Sequence, residues 1–486
     1  MGNILAILGD PTGAHILEWL KTIPNNGLLL LHGVLGSEYL LPTSPESLAD
    51  VLTRQAYDFE KPSSLRRYVQ HFSGGGLLFE EGLKHKERKK AVMMAFQQPH
   101  INKLKPMLSL KSQQLVECLH AACLVITDCV EKNVTVIDIT SWVSRMTLDA
   151  AGLFALDHDF RFLIGENEDI FASYKQITTR LNGLQFIRYS FLPSWLNQLL
   201  SSKSDTQVRL AAAYLRDAVS KIVYERFELA KHDGKLQFGF LNQMILSGKF
   251  TPSECVDHVL FILSAGYVLF SLHLNPHGLE SDLICSSETT AITICWAIYN
   301  LAERPNLQSL LRDELCRSKM NTSHNDDTIY ENLPLLNAVC NETLRLYPAV
   351  PMVVRKATRE TYTNGHLVPA GTYIALALAA INRSPHLWGP ESEQFIPERW
   401  IINTINGSKI DNSGGSGSTY SNLTFLQGPR GCTGKLFAKE EIRRTIAAFV
   451  ENFELTSGQD AEPEIEGFST AWPKGGISIG LIPLAR

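Results

Sequence analysis

Residues 425–434 read Phe425-Leu426-Gln427-Gly428-Pro429-Arg430-Gly431-Cys432-Thr433-Gly434, a Gly/Pro-rich turn that carries a cysteine to the start of a helix extending to Phe453. Gly428 and Gly431 let the backbone bend close to a flat partner, because glycine alone takes positive φ without steric cost. The N–H groups of such a turn, with the positive end of the following helix, stabilise a thiolate and lower its pKa. A thiolate held this way can ligate iron, and Arg430 supplies a cation suited to a carboxylate on a bound cofactor. A lone cysteine is ordinarily a small buried hydrophobe; the surrounding frame sets Cys432 apart.

The chain has nine cysteines, the others being Cys118, Cys123, Cys129, Cys255, Cys285, Cys295, Cys316 and Cys340, with no CxxC pair. That pattern suits a reducing compartment and speaks against a disulfide framework or a zinc site, so the sequons at Asn133, Asn406 and Asn422 carry no expectation of glycosylation. Of 486 residues, 44% are hydrophobic and 20% charged, the composition of a globular chain with a large core. A formal net charge of −5 without a long basic run predicts no nucleic-acid partner. No stretch reaches the roughly 20 uninterrupted apolar residues of a membrane-spanning helix. Met1 to Leu8 is apolar but stops at Gly9-Asp10-Pro11, so no signal peptide or anchor is expected.

Hydrophobic periodicity predicts a mainly helical protein with small, scattered sheets. Short strands and turns are expected over 28–57, including Leu28 to Leu31 and Glu38 to Leu41. Amphipathic helices are expected over 105–131, 140–155, 206–232, 288–302 and 304–317, and from Asn332 to Tyr347, where Pro348 and Pro351 end the run. Strands return at 352–356 and 366–378 with a turn at Gly371, and the tail 476–483 reads as a last strand. Asn406 to Ser421, rich in Gly, Ser and Asn, reads as an exposed loop.

From Phe425 to Gly434 the chain resembles the cytochrome P-450 superfamily, whose haem-binding frame is Phe-x-x-Gly-x-Arg-x-Cys-x-Gly; every fixed position is matched. A second motif agrees: Glu342-Thr343-Leu344-Arg345 sets a carboxylate and a guanidinium on one helix face, and Pro397-Glu398-Arg399-Trp400 follows at the superfamily's spacing. The resemblance, over residues 28 to 483, implies that Glu342, Arg345 and Arg399 lock into a buried triad that fixes the loop of Cys432. It implies a mainly α fold with small β-sheets, haem b lying between the oxygen-activating helix and the helix after Cys432, and Cys432 as axial ligand. Arg355 falls in the strand position that meets one haem propionate. Glu81 to Phe96 resembles the helix that meets the other, where relatives carry Trp or His followed four residues later by Arg. Here His85 is followed by Lys89, with Arg88 beside it. The style of the chain resembles fungal members, many of which modify secondary metabolites.

One motif is interrupted. The oxygen-activating helix of the family reads Ala/Gly-Gly-x-Asp/Glu-Thr-Thr/Ser, but here twenty residues, Tyr267 to Ser286, separate Ala265-Gly266 from Ser287-Glu288-Thr289-Thr290. They include the helix breakers Asn275-Pro276 and Gly278; without them the text becomes Ala-Gly-Ser-Glu-Thr-Thr. The segment reads as a retained intron, because Gly266-Tyr267-Val268 permits the donor text GTAYGT, Ser281-Asp282 a branch site, and Cys285-Ser286 an acceptor ending in CAG, with the frame kept. A genuine inserted loop is the alternative. In the joined helix the resemblance places the Thr289 hydroxyl beside dioxygen, with Glu288 relaying protons from water; an ordinary polar helix pair is the bland reading.

The implied activity is a monooxygenase that inserts one atom of O2 into a lipophilic metabolite, with electrons from NADPH through NADPH-cytochrome P-450 reductase. A haem-thiolate isomerase or dehydratase is one rival, and a haem-binding pseudoenzyme is another, because the helix over the haem is interrupted. Lys435, Lys439 and Arg443 recur every four residues and form a basic stripe where an acidic reductase can dock, or a plain solvated face. Substrate contacts are expected from Arg66 to Phe79, from 181–196 (Phe186, Ile187, Phe191, Leu192, Trp195), from Ala265 and Gly266, and from Pro351–Val354. Those apolar side chains suit a hydrophobic substrate, a membrane-facing lip or core. The resemblance makes 28–486 one catalytic domain and 1–27 a shortened lead-in. It places the protein at the cytosolic face of the endoplasmic reticulum by peripheral contact, with the cytoplasm as alternative.

Overall fold

Seven helices place the site: α1 (Gly82–Val92), α2 (Gln98–Thr127), α3 (Ile139–Leu156), α4 (Pro252–Leu263), α5 (Glu288–Ala302), α6 (Pro334–Leu346) and α7 (Lys435–Asn452). The computed structural model describes residues 14–33, 37–66, 76–127, 134–179, 192, 194–200, 202–233, 239–263, 288–321, 328–405, 407–466 and 470–485. Every residue of α5 except Thr289 is buried, as befits a helix with no polar face. It packs against α3 and α7, and α2 closes the bundle against the same two helices. Trp296 of α5 stacks on Tyr347 with ring centroids 4.2 Å apart, and each large side chain buried this way contributes about 1.5–3 kcal/mol. The Asp138 carboxylate caps α3 by accepting the Thr140 N–H at 3.0 Å.

The larger sheet is built from β1 (Leu28–His32), β2 (Glu38–Pro42), β3 (Phe59–Glu60), β4 (Val353–Ala357) and β5 (Tyr373–Leu376), in the order β1-β2-β5-β4-β3. Only β2 and β5 run parallel, pairing Tyr39 with Tyr373. Side chains alternate between faces along a strand, so Arg355 on β4 shares the buried face with Val353 and Ala357. A second, three-stranded sheet pairs Ser478–Pro483 with both Thr135–Asp138 and Phe453–Ser457.

Several boundaries differ from the sequence reading, each for a local reason. Helix α2 begins at Gln98, not 105, and carries Pro106 inside it. Pro45–Ala49 is a helix that runs into a π-helical turn at Asp50–Arg54, where strands and turns were expected. Its signal was present: Ser44 and Ser47 form a reciprocal capping box with Pro45 at the first position. Within the supposed loop after residue 406, Gly407–Ile410 pairs with Ile401–Thr404, helped by Gly407 at φ +106°. Residues 264–287, with Ala265, Gly266 and the suspected intron, lie outside the described residues. On either side of them, α4 and α5 both pack along α3.

Candidate active site

On α6, Glu342 and Arg345 have fully buried side chains. Arg345 Nε and Nη2 each donate to the Glu342 carboxylate at 2.8 Å. From the turn at Pro397–Trp400, Arg399 Nε donates at 3.0 Å and the Trp400 indole at 2.9 Å, while the Ile396 N–H adds a bond of 2.9 Å. The three motif residues are thus brought together, and Trp400 and Ile396 complete a shell the motif did not reveal. An ion pair this deep holds only because its remaining lone pairs are satisfied, and losing one partner strands a buried charge.

Arg345 extends the network toward the cysteine loop. Its Nη1 donates to the Asn382 carbonyl at 2.8 Å. The Asn382 amide donates to Thr424 Oγ1 at 2.8 Å, and its side-chain oxygen accepts the Leu423 N–H at 2.7 Å. Thr424 Oγ1 then donates to the Leu344 carbonyl at 2.6 Å. Asn382, fully buried, therefore couples the triad to the residues just before Phe425. No motif marked it.

In the loop itself the Phe425 carbonyl accepts the Cys432 N–H at 2.8 Å, and Gly428 O accepts the Gly431 N–H at 3.0 Å. Gly428 has φ +69°, and a Cβ there would fall 2.2 Å from the Leu52 carbonyl oxygen. Gly431 corrects the sequence argument, since its φ is −64°. Its glycine character matters for closeness, because a Cβ would sit 3.2 Å from Gly428 O. Gly434 caps α7, and a Cβ on it would meet the Cys432 sulfur at 3.9 Å. The Phe425 ring carries Lys435 Nζ 5.8 Å above its centroid. Cys432 remains solvent-accessible, unlike Cys255, Cys295 and Cys340. Protein nonetheless surrounds its sulfur, and that burial raises the thiol pKa against the opposing pull of the Gly434 N–H and of Lys89 and Lys435. The expected depression of the thiol pKa by the turn and helix is thus outweighed.

A cluster of cations flanks the loop. Arg430 pairs with Glu81, donates to the Glu80 carbonyl at 3.3 Å and lies over the Tyr57 ring at 4.9 Å. Its Nε is buried with no hydrogen-bond partner among the described residues. Arg355, also buried, donates to the carbonyl of adjacent Val354 at 3.1 Å, and burial lowers its pKa to about 10. Lys61, which the sequence reading missed, is buried 3.9 Å from Glu81. Burial and Arg355 hold its ammonium well below the usual lysine range. His85 is buried, 3.5 Å from the Tyr57 hydroxyl, and burial followed by Arg430 and Lys61 lowers its pKa to about 3, so the imidazole is neutral. Lys89 and Arg88 part company: Lys89 donates to the Pro429 and Gly431 carbonyls at 2.6 and 3.1 Å, whereas Arg88 turns away to Glu80 and Glu254. Lys89 thus braces the loop through two of its carbonyls.

At the start of α5, Glu288 is buried and Thr289 half-buried. The Trp472 indole donates to Glu288 Oε1 at 2.8 Å. The basic stripe does not survive folding. Lys435 is exposed, but Lys439 turns inward to Asn341 at 2.7 Å, its pKa lowered to about 8 by burial, and buried Arg443 pairs with Glu440 at 2.8 Å. The packing of α7 against α2 and α6 covers that face. Of the expected substrate-side residues, Pro351–Val354, Arg66, 76–79 and Leu192 are described; Phe186, Ile187, Phe191, Ala265 and Gly266 lie outside the described residues.

The sequence model of the Cytochrome P450 family matches residues 28–274 and 281–481. The chain belongs to the cytochrome P450 family. The P450 monooxygenase sphH of Aspergillus fumigatus is 32% identical, the alignment covering 99% of this chain and 86% of that protein. The P450 monooxygenase ptmK of Penicillium ochrochloron is 31% identical over 97% of this chain and 89% of that one. The P450 monooxygenase FSL4 of Gibberella zeae is 30% identical over 96% and 81%. The P450DA haem domain has the same fold, with a TM-score of 0.75 at 16% identity over 99% of this chain and 95% of that one. The protein is therefore an oxidoreductase of the monooxygenase kind, with the mainly helical P450 fold. Membership implies a haem-thiolate cofactor, a redox partner and O2 as reactant. The relatives give no support to an isomerase or a pseudoenzyme.

The residues present fit haem b. Among the described residues, Lys61, Arg355 and Arg430 have side chains buried around one carboxylate, Glu81. That surplus of two positive charges matches the two propionates of the cofactor, and a buried cation cluster needs such counter-charge. Two predictions follow from these contacts. Glu342→Ala should cost about 3–5 kcal/mol, read as a lowered melting temperature together with reduced haem per chain. Lys61→Met should leave the far-UV circular dichroism unchanged and release haem to apomyoglobin about tenfold faster, the loss of one charge-assisted bond; Lys61→Arg should largely restore retention.

Proposed function

We propose that this P450 inserts one atom of O2 into a lipophilic small molecule of fungal secondary metabolism, using haem b on Cys432 and NADPH-cytochrome P450 reductase. The observation that carries the reading is the Cys432 loop, tied through Asn382 to the buried Glu342 carboxylate and flanked by three cations that, among the described residues, Glu81 leaves unbalanced. The fungal sources and the monooxygenase names of the relatives support it. Haem, when bound, supplies the oxygen activation. The chain's residues do the rest: Arg355, Arg430 and Lys61 receive the propionates with neutral His85 beside them, Lys89 braces the loop, and Phe425 and Gly434 line the cysteine side. Glu288 and Thr289 move protons, Glu288 as the buried acid and Thr289 as the hydroxyl next to it. Residues 28–486 form the catalytic domain on this reading, with 1–27 leading into it. No helix among the described residues is long and apolar enough to cross a membrane; peripheral contact with the endoplasmic reticulum follows the family habit.

The reading removes residues 267–286 from the working protein as a retained intron. The family match breaks at 274 and resumes at 281, and α4 and α5 lie along the same helix, as two halves of one element do. Transcript sequencing is expected to find the shorter message, and the form lacking 267–286 is expected to consume NADPH with reductase. A main transcript that keeps those codons, encoding a 486-residue enzyme of equal activity, would overturn this. In the active form, Thr289→Ala should divert NADPH from product to peroxide several-fold; unchanged coupling contradicts the role of Thr289.

A further inference from the structure

Trp472 sits on a short hairpin in which Glu466 pairs with Trp472. The Ala471 N–H donates to the Ala349 carbonyl at 2.9 Å, which ties this hairpin to the turn after α6. The Trp472 side chain is buried, and its one polar atom lies 2.8 Å from Glu288 Oε1. Burial pushes the Glu288 carboxyl well above the usual range, and the Trp472 hydrogen bond is the one opposing influence resolved. Charged groups on the neighbouring elements act elsewhere. Glu464 pairs with Lys474 at 2.8 Å, Glu462 acts on Tyr299 and Tyr347, and Asp138 caps α3. Glu441 on α7 is itself buried and contributes nothing resolved to Glu288.

We infer that Trp472 is a positioning residue for proton delivery: its indole N–H fixes the Glu288 carboxyl at the start of α5 and stabilises the carboxylate left after the proton has gone. The inference rests on the reading of Glu288 and Thr289 given above. With haem and O2 bound, neutral Glu288 would be the proton source and the Thr289 hydroxyl the relay toward the oxygen. The charge left on Glu288 would be held by the Trp472 N–H until a proton from bulk solvent, relayed through water, restores the neutral acid. An indole suits this place because it is a donor only and cannot take the proton. A hydrogen bond to a charged group is worth enough to move the acid by about one pH unit or more.

The test compares wild type, Trp472→Phe, Glu288→Gln and the double variant in the haem-binding, NADPH-consuming form of the chain. Trp472→Phe is expected to keep the wild-type haem spectrum and KM, and to move the pH dependence of peroxide release per NADPH upward by about one unit. The double variant should behave like Glu288→Gln alone. Infrared spectroscopy of the wild type supplies a readout that needs no variant of Trp472. The carboxylic C=O band absent from Glu288→Gln should lie at the lowered frequency of a hydrogen-bonded acid. A Trp472→Phe profile superimposed on wild type, or a Glu288 band at the free-acid frequency, overturns the inference. If Glu288→Gln itself leaves coupling and pH profile untouched, the underlying proton-delivery reading fails instead.

Discussion

The Glu342 carboxylate is the constraint on which the site depends. Five donors from Arg345, Arg399, Trp400 and Ile396 converge on its two oxygens. They come from a helix and from a turn more than fifty residues later, so the carboxylate joins two parts of the chain that share no hydrophobic periodicity. Through Arg345 and Asn382 the same network sets the backbone at Leu423 and Thr424. Cys432 inherits its place from there, because Phe425 O receives its N–H. A salt bridge at this depth adds little net stability; its value here is in fixing where the cysteine loop must lie.

The second constraint is electrostatic. Lys61, Arg355 and Arg430 are buried where, among the described residues, Glu81 is the carboxylate that answers them. The price of that arrangement in the bare chain is visible in the lowered pKa values of Lys61 and Arg355, and it is relieved by an incoming dianion. Cofactor binding and local folding are thereby coupled: anything that stabilises only the folded form shifts the folding equilibrium by mass action. Lys89 belongs to a different task, since its ammonium neutralises loop carbonyls rather than facing a carboxylate.

What could be read from the sequence was what lies close together along the chain. The helix that ends at Ala302 was predicted with that end because its apolar run is continuous, and β1, β2 and β4 followed from short apolar runs and flanking turns. Motif residues Glu342, Arg345 and Arg399 meet as the family resemblance implied. Asn382, Lys61 and Trp472 were illegible because each works through partners distant in sequence, with no pattern around it. The basic stripe of Lys435, Lys439 and Arg443 failed for the converse reason: helical spacing says which residues share a face, but not whether another helix covers it. Gly431 shows a third kind of error, a glycine kept for close approach rather than for positive φ.

The central claim is that the Glu342 network presents Cys432 as the thiolate ligand of haem. The reduced, CO-bound absorption spectrum of the haem-loaded chain tests it most directly. The account predicts the strongly red-shifted Soret band of a thiolate-ligated ferrous–CO haem, present in wild type and absent in Cys432→Ser. A wild-type band at the position given by a neutral ligand, or a red-shifted band that persists in Cys432→Ser, would contradict it.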